Sequence, residues 1–590
     1  MAHRLDPLLR PRSIAVLGAS EREGTVGRTV VENLLKGGYE GGLYAVNPGR
    51  RSVLGIPCYP ALADLPEPVE HVIFAVADSR MDAALDDVIA YGARAATMMS
   101  SLVLEGDSDP PLRERVAAKI RKSGLVVCGA NGMGFYNFAD GVWGCGFRTR
   151  MHRRGGNVAF ISHSGSGMCG IVDVEERIDF NLVVSTGQEL AVSMDEYLDF
   201  ALEMPGTRAV GLFMETARNP AGLVRALERA RERDIPVVAL KVGRTELSAR
   251  LAVSHSGAIA GADGVYDALF DRYGVHRARD MDEFATTLIL FAQPHRVAAG
   301  GLVSIHDSGG ERQLLIDVAA DRGVSLAGIS PATTAKLESL LDPGLPPVNP
   351  LDAWSTGGPD ADAKMTACFA TLMSDPQAAI GAVVHDRVAG GGIYAPYIDY
   401  LRAGHRASGK PAVLVSNRQG TGADPLVVEA TREGFPVLDG LESFLRGVRH
   451  LFDHRDLRAR LADGQRLDEN EALTLLREAG LPANAGRVVE SEAAALAAAR
   501  ETGFPVVLKT AKRGVDHKSD LGGIHLGLAD QAAVAAAWRD LSKRIGPRVL
   551  VAPMVEAKGV EMLLGMVNDP QFGPVVLVGE SYGGTRAQIM

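Results

Sequence analysis

Cysteine is scarce in this sequence: five in 590 residues, at Cys58, Cys128, Cys145, Cys169 and Cys368. They are scattered, odd in number and without metal-ligand spacing, which argues against a disulfide framework and a cysteine-held metal. Basic residues are not in excess. A net charge of -10 excludes a general nucleic-acid surface, while a local basic pocket is still compatible with it. No apolar run approaches the roughly 20 residues that cross a bilayer. The opening MAHRLDPLLRPRSIAVLGAS lacks the apolar core of a signal peptide and runs straight into a strand. These absences lead to the expectation of a reducing cytoplasm and no membrane partner.

Glycine, by contrast, is plentiful. The 67 glycines exceed the average usage of about 7% and follow no collagen-like period. Hydrophobic residues at 46% and charged residues at 23% are the balance of a globular protein. The length predicts about three to five domains. Short apolar runs alternate with longer amphipathic ones, the pattern of parallel sheets with crossover helices. SIAVLGAS, HVIFAVA, AATMMSS and LVVCGAN belong to a first unit, 1–150. NVAFISHSGSG opens a second, 151–296, and GLVSIHDSGGE a third, 297–455; both start with strand, Ser-Gly loop and helix, as variants of one fold. After a charged helix and linker, a last unit, 465–590, contains FPVVLKT, HKSDLGGIHLGL and RVLVAPMV. The chain then stops inside what the pattern suggests is a larger domain.

Three places have the residue types of phosphate chemistry. The turn GASEREGTVGR lets the backbone approach a pyrophosphate at a helix start. Its spacing is not G-x-G-x-x-G, however, and the second strand ends in YAVNPGR with no acidic residue for a ribose. NAD is thereby disfavoured and CoA or another nucleotide diphosphate fits better, with a purely structural glycine turn as the alternative. The loop Ser162-His163-Ser164-Gly165-Ser166 is a possible phosphate nest or simply an N-cap. In SARLAVSHSGAIAGADGVYDALF, His255 stands between two serines before a Gly-Ala run. Imidazole can take up a phosphoryl group and pass it on; a buried histidine bonded to backbone is the plainer alternative.

SHSGAIAGADGVYDALF resembles the phosphohistidine segment of the ADP-forming acetyl-CoA synthetases, which are similar to succinyl-CoA synthetase. GAS…GTVGR, YAVNP, DLPEPVEHVIFAV, ISHSG, LKVGR, VNPLD, PVVLK, HKSDLGG and VEMLLGMVNDPQFGPVV agree in order. The resemblance implies an α/β multidomain protein: a Rossmann-like CoA-binding domain, two flavodoxin-like ligase domains and an incomplete ATP-grasp domain. It implies that Gly18, Ser20, Gly27, Asn47, Pro48, Ala75 and Val76 line a CoA site. His255 would carry the phosphoryl group, with Glu215 orienting its ring, and Ser162, Ser164 and Gly165 would hold phosphate or acyl phosphate. Lys509, Gly522, Gly523 and Glu561 would serve ATP, and His517 is a candidate second carrier or a loop histidine bonded to Asp520. The implied activity is ligation of a carboxylic acid to CoA, with ATP and Mg²⁺, in a homodimer.

The chain departs from the acetate-handling pattern at four segments: SSLV (Ser100 to Val103), GANGMG (Gly129 to Gly134), SHSGS for Ser-Gln-Ser-Gly-Ala, and GQE (Gly187 to Glu189) for Gly-Asn-Glu. Such departures suggest a larger acid, such as a hydroxycinnamate (ferulate), with acetate or another short-chain acid as the alternative. The late strands that supply Mg²⁺ ligands in ATP-grasp domains fall beyond the sequence as given, so the metal ligands are unassigned. A CoA-binding regulatory protein with a degenerate kinase half is the main alternative; an NAD oxidoreductase and an acetyltransferase fusion are weaker ones.

Overall fold

The computed structural model describes residues 3–245, 247–248, 263–354, 358–385, 392–418, 424–462, 473–474, 477, 486–512, 522–554, 562–569 and 573–580. His255, His517, Asp520 and Glu561 therefore lie outside the described residues. The chain forms two compact units, one built on Met1–Arg458 and the other on Ala459–Gly565.

The first unit holds three sheets. The first is seven-stranded, in the order Ser52–Val53, Ile56–Tyr59, Gly42–Val46, Ser13–Leu17, His71–Phe74, Ala95–Met98 and Val126–Gly129. Apart from the short hairpin strand Ser52–Val53, all pairings are parallel. Numbered along the chain, the six parallel strands lie 3-2-1-4-5-6, the Rossmann order. His71–Phe74, Ala95–Met98 and Val126–Gly129 are buried along their whole length, as strands covered on both faces must be. Part of the glycine excess is explained by helix ends. Val26–Gly37, Asp78–Tyr91 and Leu112–Ser123 stop at Gly38, Gly92 and Gly124, each left-handed.

The second sheet runs His276–Ala278, Val237–Lys241, Ala209–Met214, Val158–Ser162, Phe180–Ser185 and Gly134–Asn137. The third runs Leu351–Asp352, Gly301–His306, Ala378–His385, Ala412–Ser416 and Val437–Asp439. Only Gly134–Asn137 is antiparallel, a strand from the first segment added to the edge of the second sheet. The parallel strands of both sheets follow one order, 2-1-3-4-5, that of flavodoxin-like folds. The likeness of the second and third segments is thus topological as well as local. One continuous core joins them: Phe284, Leu288 and Phe291 share it with Phe444, Val448 and Phe452 of the long helix Leu441–Ala462.

The second unit is of another kind. Four antiparallel strands lie in the order Arg487–Val489, Val549–Pro553, Val506–Thr510, Ile524–Leu528. Helices Glu492–Thr502 and Gln531–Arg544, capped by Ser491 and Asp530, contribute Ala495, Ala498, Val534 and Leu541 to the core of this sheet. Met562–Asp569 and Gly573–Glu580 form a separate two-stranded sheet.

Candidate functional site

In open α/β sheets ligands bind outside the carboxyl ends of the strands, where the strand order reverses. In the first sheet that point lies between Ser13–Leu17 and His71–Phe74. Gly18, just past the first, has φ +90, and a Cβ there would stand 2.5 Å from the Ala75 carbonyl oxygen. A Cβ on Gly27 would stand 2.5 Å from the Gly18 carbonyl oxygen. Both glycines are thus required for the helix start to close on the turn. Asn47 Nδ2 donates to the Ala19 carbonyl (2.8 Å), and Asn47 Oδ1 accepts from the Gly49 amide (3.0 Å). Ser20 Oγ accepts from the Arg22 amide (3.0 Å). Gly18, Ser20, Gly27, Asn47, Pro48, Ala75 and Val76 therefore gather at one carboxyl edge.

The corresponding point of the second sheet lies between Val158–Ser162 and Ala209–Met214. Ser162 is buried; its hydroxyl donates to the Ser164 carbonyl (2.7 Å) and accepts from the Ser164 amide (3.1 Å). Ser164 Oγ accepts from the Gly167 amide (3.0 Å), capping the helix Gly165–Val172. Both hydroxyls thus help to build the loop, and the first-turn amides, which have no partner within a helix, are what such a loop offers an anion.

Between the two serines stands His163. Its Nδ1 accepts from the Glu215 amide (2.9 Å) and its Nε2 lies 2.9 Å from Glu189 Oε1. A backbone amide can only donate, so Nδ1 is the acceptor and the ring proton sits on Nε2, toward the carboxylate. The His163 side chain is 5% exposed and that of Glu189 fully buried. Glu189 Oε1 also accepts from the Met194 amide (3.0 Å). Its Oε2 accepts no hydrogen bond among the described residues and lies 3.8 Å from Arg218 Nε. With both ring nitrogens engaged, His163 is not built to carry phosphate. Its pairing with Glu189 was not expected from the sequence. The available signal was a histidine just past one strand and a carboxylate just past the next.

Lys241 is a second residue that sequence reasoning passed over. It ends the fully buried strand Val237–Lys241, donates to the Val242 carbonyl (2.5 Å) and stands 4.6 Å from the centre of the Tyr266 ring. Burial pushes its ammonium down to about 8 from near 10.5; Arg277 adds to this, while Asp263 and Glu215 oppose it. Between those values the unfolded chain holds a proton that the folded chain has released, so stability rises with pH across that window. Relative to Lys241→Met, the wild type is expected to gain about 3 kcal/mol from pH 8 to 10.5, measured by urea unfolding of both proteins. A flat difference would show a solvated ammonium.

The four segments that depart from the acetate pattern meet here. The Asn131 amide donates to the Ser100 carbonyl (2.8 Å), and the Gln188 amide to the Ala130 carbonyl (2.6 Å). Gln188 Nε2 reaches the Ser101 carbonyl at 3.5 Å, and the Met133 amide donates to Ser185 Oγ (3.0 Å). A Cβ on Gly165 would stand 2.7 Å from Met133 Cγ. Residues distant in sequence thus build one wall beside the Ser162–Gly165 loop.

In the second unit, Lys509 lies on the strand Val506–Thr510. Gly523 and Gly522 lead into the edge strand Ile524–Leu528, their carbonyls accepting from the Thr510 amide and from Arg544 Nη2, both at 2.8 Å.

Comparison with known proteins adds to this geometry. Family models match residues 12–137 (CoA binding domain), 155–291 (succinyl-CoA ligase like flavodoxin domain) and 458–590 (ATP-grasp domain). The chain is 27% identical to a trans-feruloyl-CoA synthase of an unknown prokaryotic organism, over all of this chain and 86% of that one. It is 30% identical to the alpha subunit of the ADP-forming acetate–CoA ligase II of Pyrococcus furiosus, over 59% of this chain and 76% of the subunit. In fold it matches the acetyl-coenzyme A synthetase 1 of Ca. Korarchaeum cryptofilum solved with phosphate and ADP. The TM-score there is 0.70 at 23% identity, covering 78% of this chain and 99% of that one.

Proposed function

We propose, from the premise that this chain belongs to the ADP-forming acetyl-CoA synthetase family, that it joins a hydroxycinnamate-type acid to CoA through a phosphohistidine. The chain is an acid–thiol ligase. The observation that carries the assignment of the site is the meeting of the Ser162, Glu189 and Glu215 loops around His163 at the switch point of the second sheet.

The γ-phosphoryl group of ATP passes to a ring nitrogen of His255, and ADP leaves. A carboxylate oxygen of the acid then takes the phosphoryl group, breaking the N–P bond and giving an acyl phosphate. The CoA thiolate attacks the acyl carbon, the C–O bond to phosphate breaks, and inorganic phosphate departs. The crevice at Gly18, Ser20, Gly27, Asn47, Pro48, Ala75 and Val76 takes CoA. Ser162, Ser164 and Gly165 shape the loop, and the first-turn amides of the helix Gly165–Val172 stabilise the phosphoryl oxygens and the developing oxyanion. Lys509, Gly522, Gly523 and Glu561 serve ATP, with His517 as a second carrier. Mg²⁺, when bound with ATP, would neutralise its phosphates. Among the described residues no group of three His, Cys, Asp or Glu is placed to hold a metal, so no step here runs through the ion. The working form is read as a cytoplasmic homodimer. Among the described residues no helix is long and apolar enough to cross a membrane.

The assignment of a large acid rests on the wall formed by the four departing segments and on the likeness to a feruloyl-CoA synthase. Thioester formation with ferulate and with acetate, assayed side by side with ATP and CoA, tests it. Ferulate is expected to be used at least about tenfold more efficiently, a difference of about 1.4 kcal/mol. A preference for acetate ends the aromatic assignment. CoA binding with no thioester from either acid would favour a regulatory protein instead.

A further inference from the structure

His163 touches the loops that follow three adjacent strands. Its own backbone continues Val158–Ser162, and its amide donates to the Phe213 carbonyl at 2.9 Å. Through Nε2 it holds Glu189, beyond Phe180–Ser185, and through Nδ1 the backbone of Glu215, beyond Ala209–Met214. The two ring nitrogens face opposite ways, so one planar ring spaces the two loops at a fixed separation. Glu189 has φ +53, a left-handed backbone that a non-glycine residue keeps only where its surroundings hold it.

We propose that His163 is a positioning residue for phosphoryl transfer, bracing the Glu215 backbone against the buried Glu189 carboxylate so that the Glu215 side chain is presented at one fixed place. The inference rests on the reading of Glu215 as the residue that orients the phosphorylated ring. His163 exchanges no proton and carries no phosphate in this role. A misplacement of about 1 Å at a reacting group can cost about 100-fold in rate, and the loss of the brace acts on that scale.

The test is a double-mutant cycle of His163→Leu with Glu215→Gln, read as the initial rate of base-stable ³²P incorporation from [γ-³²P]ATP. Melting temperature and CoA affinity are followed alongside. His163→Leu is expected to slow labelling about 100-fold, with CoA affinity within about twofold. In the Glu215→Gln background the same change should cost less than about threefold, because residues acting as one unit are not additive. Equal losses in both backgrounds, or no loss in the wild type, overturn the inference. If His163→Leu does not fold, two isosteres separate the bonds. Asparagine places Oδ1 where Nδ1 sits, and glutamine places Nε2 where the ring Nε2 sits. His163→Asn should then label faster than His163→Gln, and the reverse order overturns the inference. A wild type that takes up no base-stable label at all would instead sink the phosphohistidine reading beneath it.

Discussion

Replacing His255 with alanine is expected to abolish acid-labile, base-stable phosphorylation of the protein and to slow thioester formation by about 10,000-fold or more. The imidazole divides one difficult transfer into two, and the alanine side chain has no lone pair to take its place. Folding should survive, because the cores of the first unit are built from the sheets and helices on either side of that segment. CoA affinity should also survive, since the crevice at Gly18 and Ala75 is closed by contacts within the first sheet. Labelling with [γ-³²P]ATP and titration with CoA measure the two effects separately. Label persisting in His255→Ala would move the carrier elsewhere, with His517→Ala the next variant to make. Loss of CoA binding together with label would point to a folding defect.

The strand–turn–helix units were legible because short apolar runs bounded by glycine have few other ways to bury themselves. SIAVLGAS, NVAFISHSG and GLVSIHDSGG all became a strand followed by a helix. Strand neighbours were not legible. A run such as VVALK is apolar on both faces wherever it lies in a parallel sheet, so the order 2-1-3-4-5 had to come from the structure. The short run Gly134–Asn137 gave no sign that it would leave the first segment and pair with Phe180–Ser185. The His163–Glu189 pair was hidden for a related reason: 26 residues separate its members, and only the adjacency of two strands joins them. Lys241 was readable in principle, as a lone ammonium ending an apolar strand. The roles of His255, His517 and Glu561 rest on sequence and likeness, since those residues lie outside the described structure.

Glu215→Gln should lower kcat by about 10,000-fold with KM for CoA nearly unchanged, on the scale seen when the carboxylate behind a catalytic histidine becomes an amide. As a ring nitrogen takes up phosphorus the imidazole gains positive charge, and a carboxylate on the far nitrogen stabilises that charge and fixes the tautomer. An amide can imitate the shape and not the charge. Glu215→Asp keeps the charge and withdraws it by one methylene, so its rate should fall between the two. The same substitution has a consequence independent of turnover. The Glu215 charge is one of the influences holding the Lys241 ammonium up against burial. Its removal should let Lys241 drop further below about 8, which amine-selective labelling across pH can follow. A variant that lost activity while Lys241 titrated unchanged would place the Glu215 carboxylate away from Lys241, and its loss of activity would then need another cause.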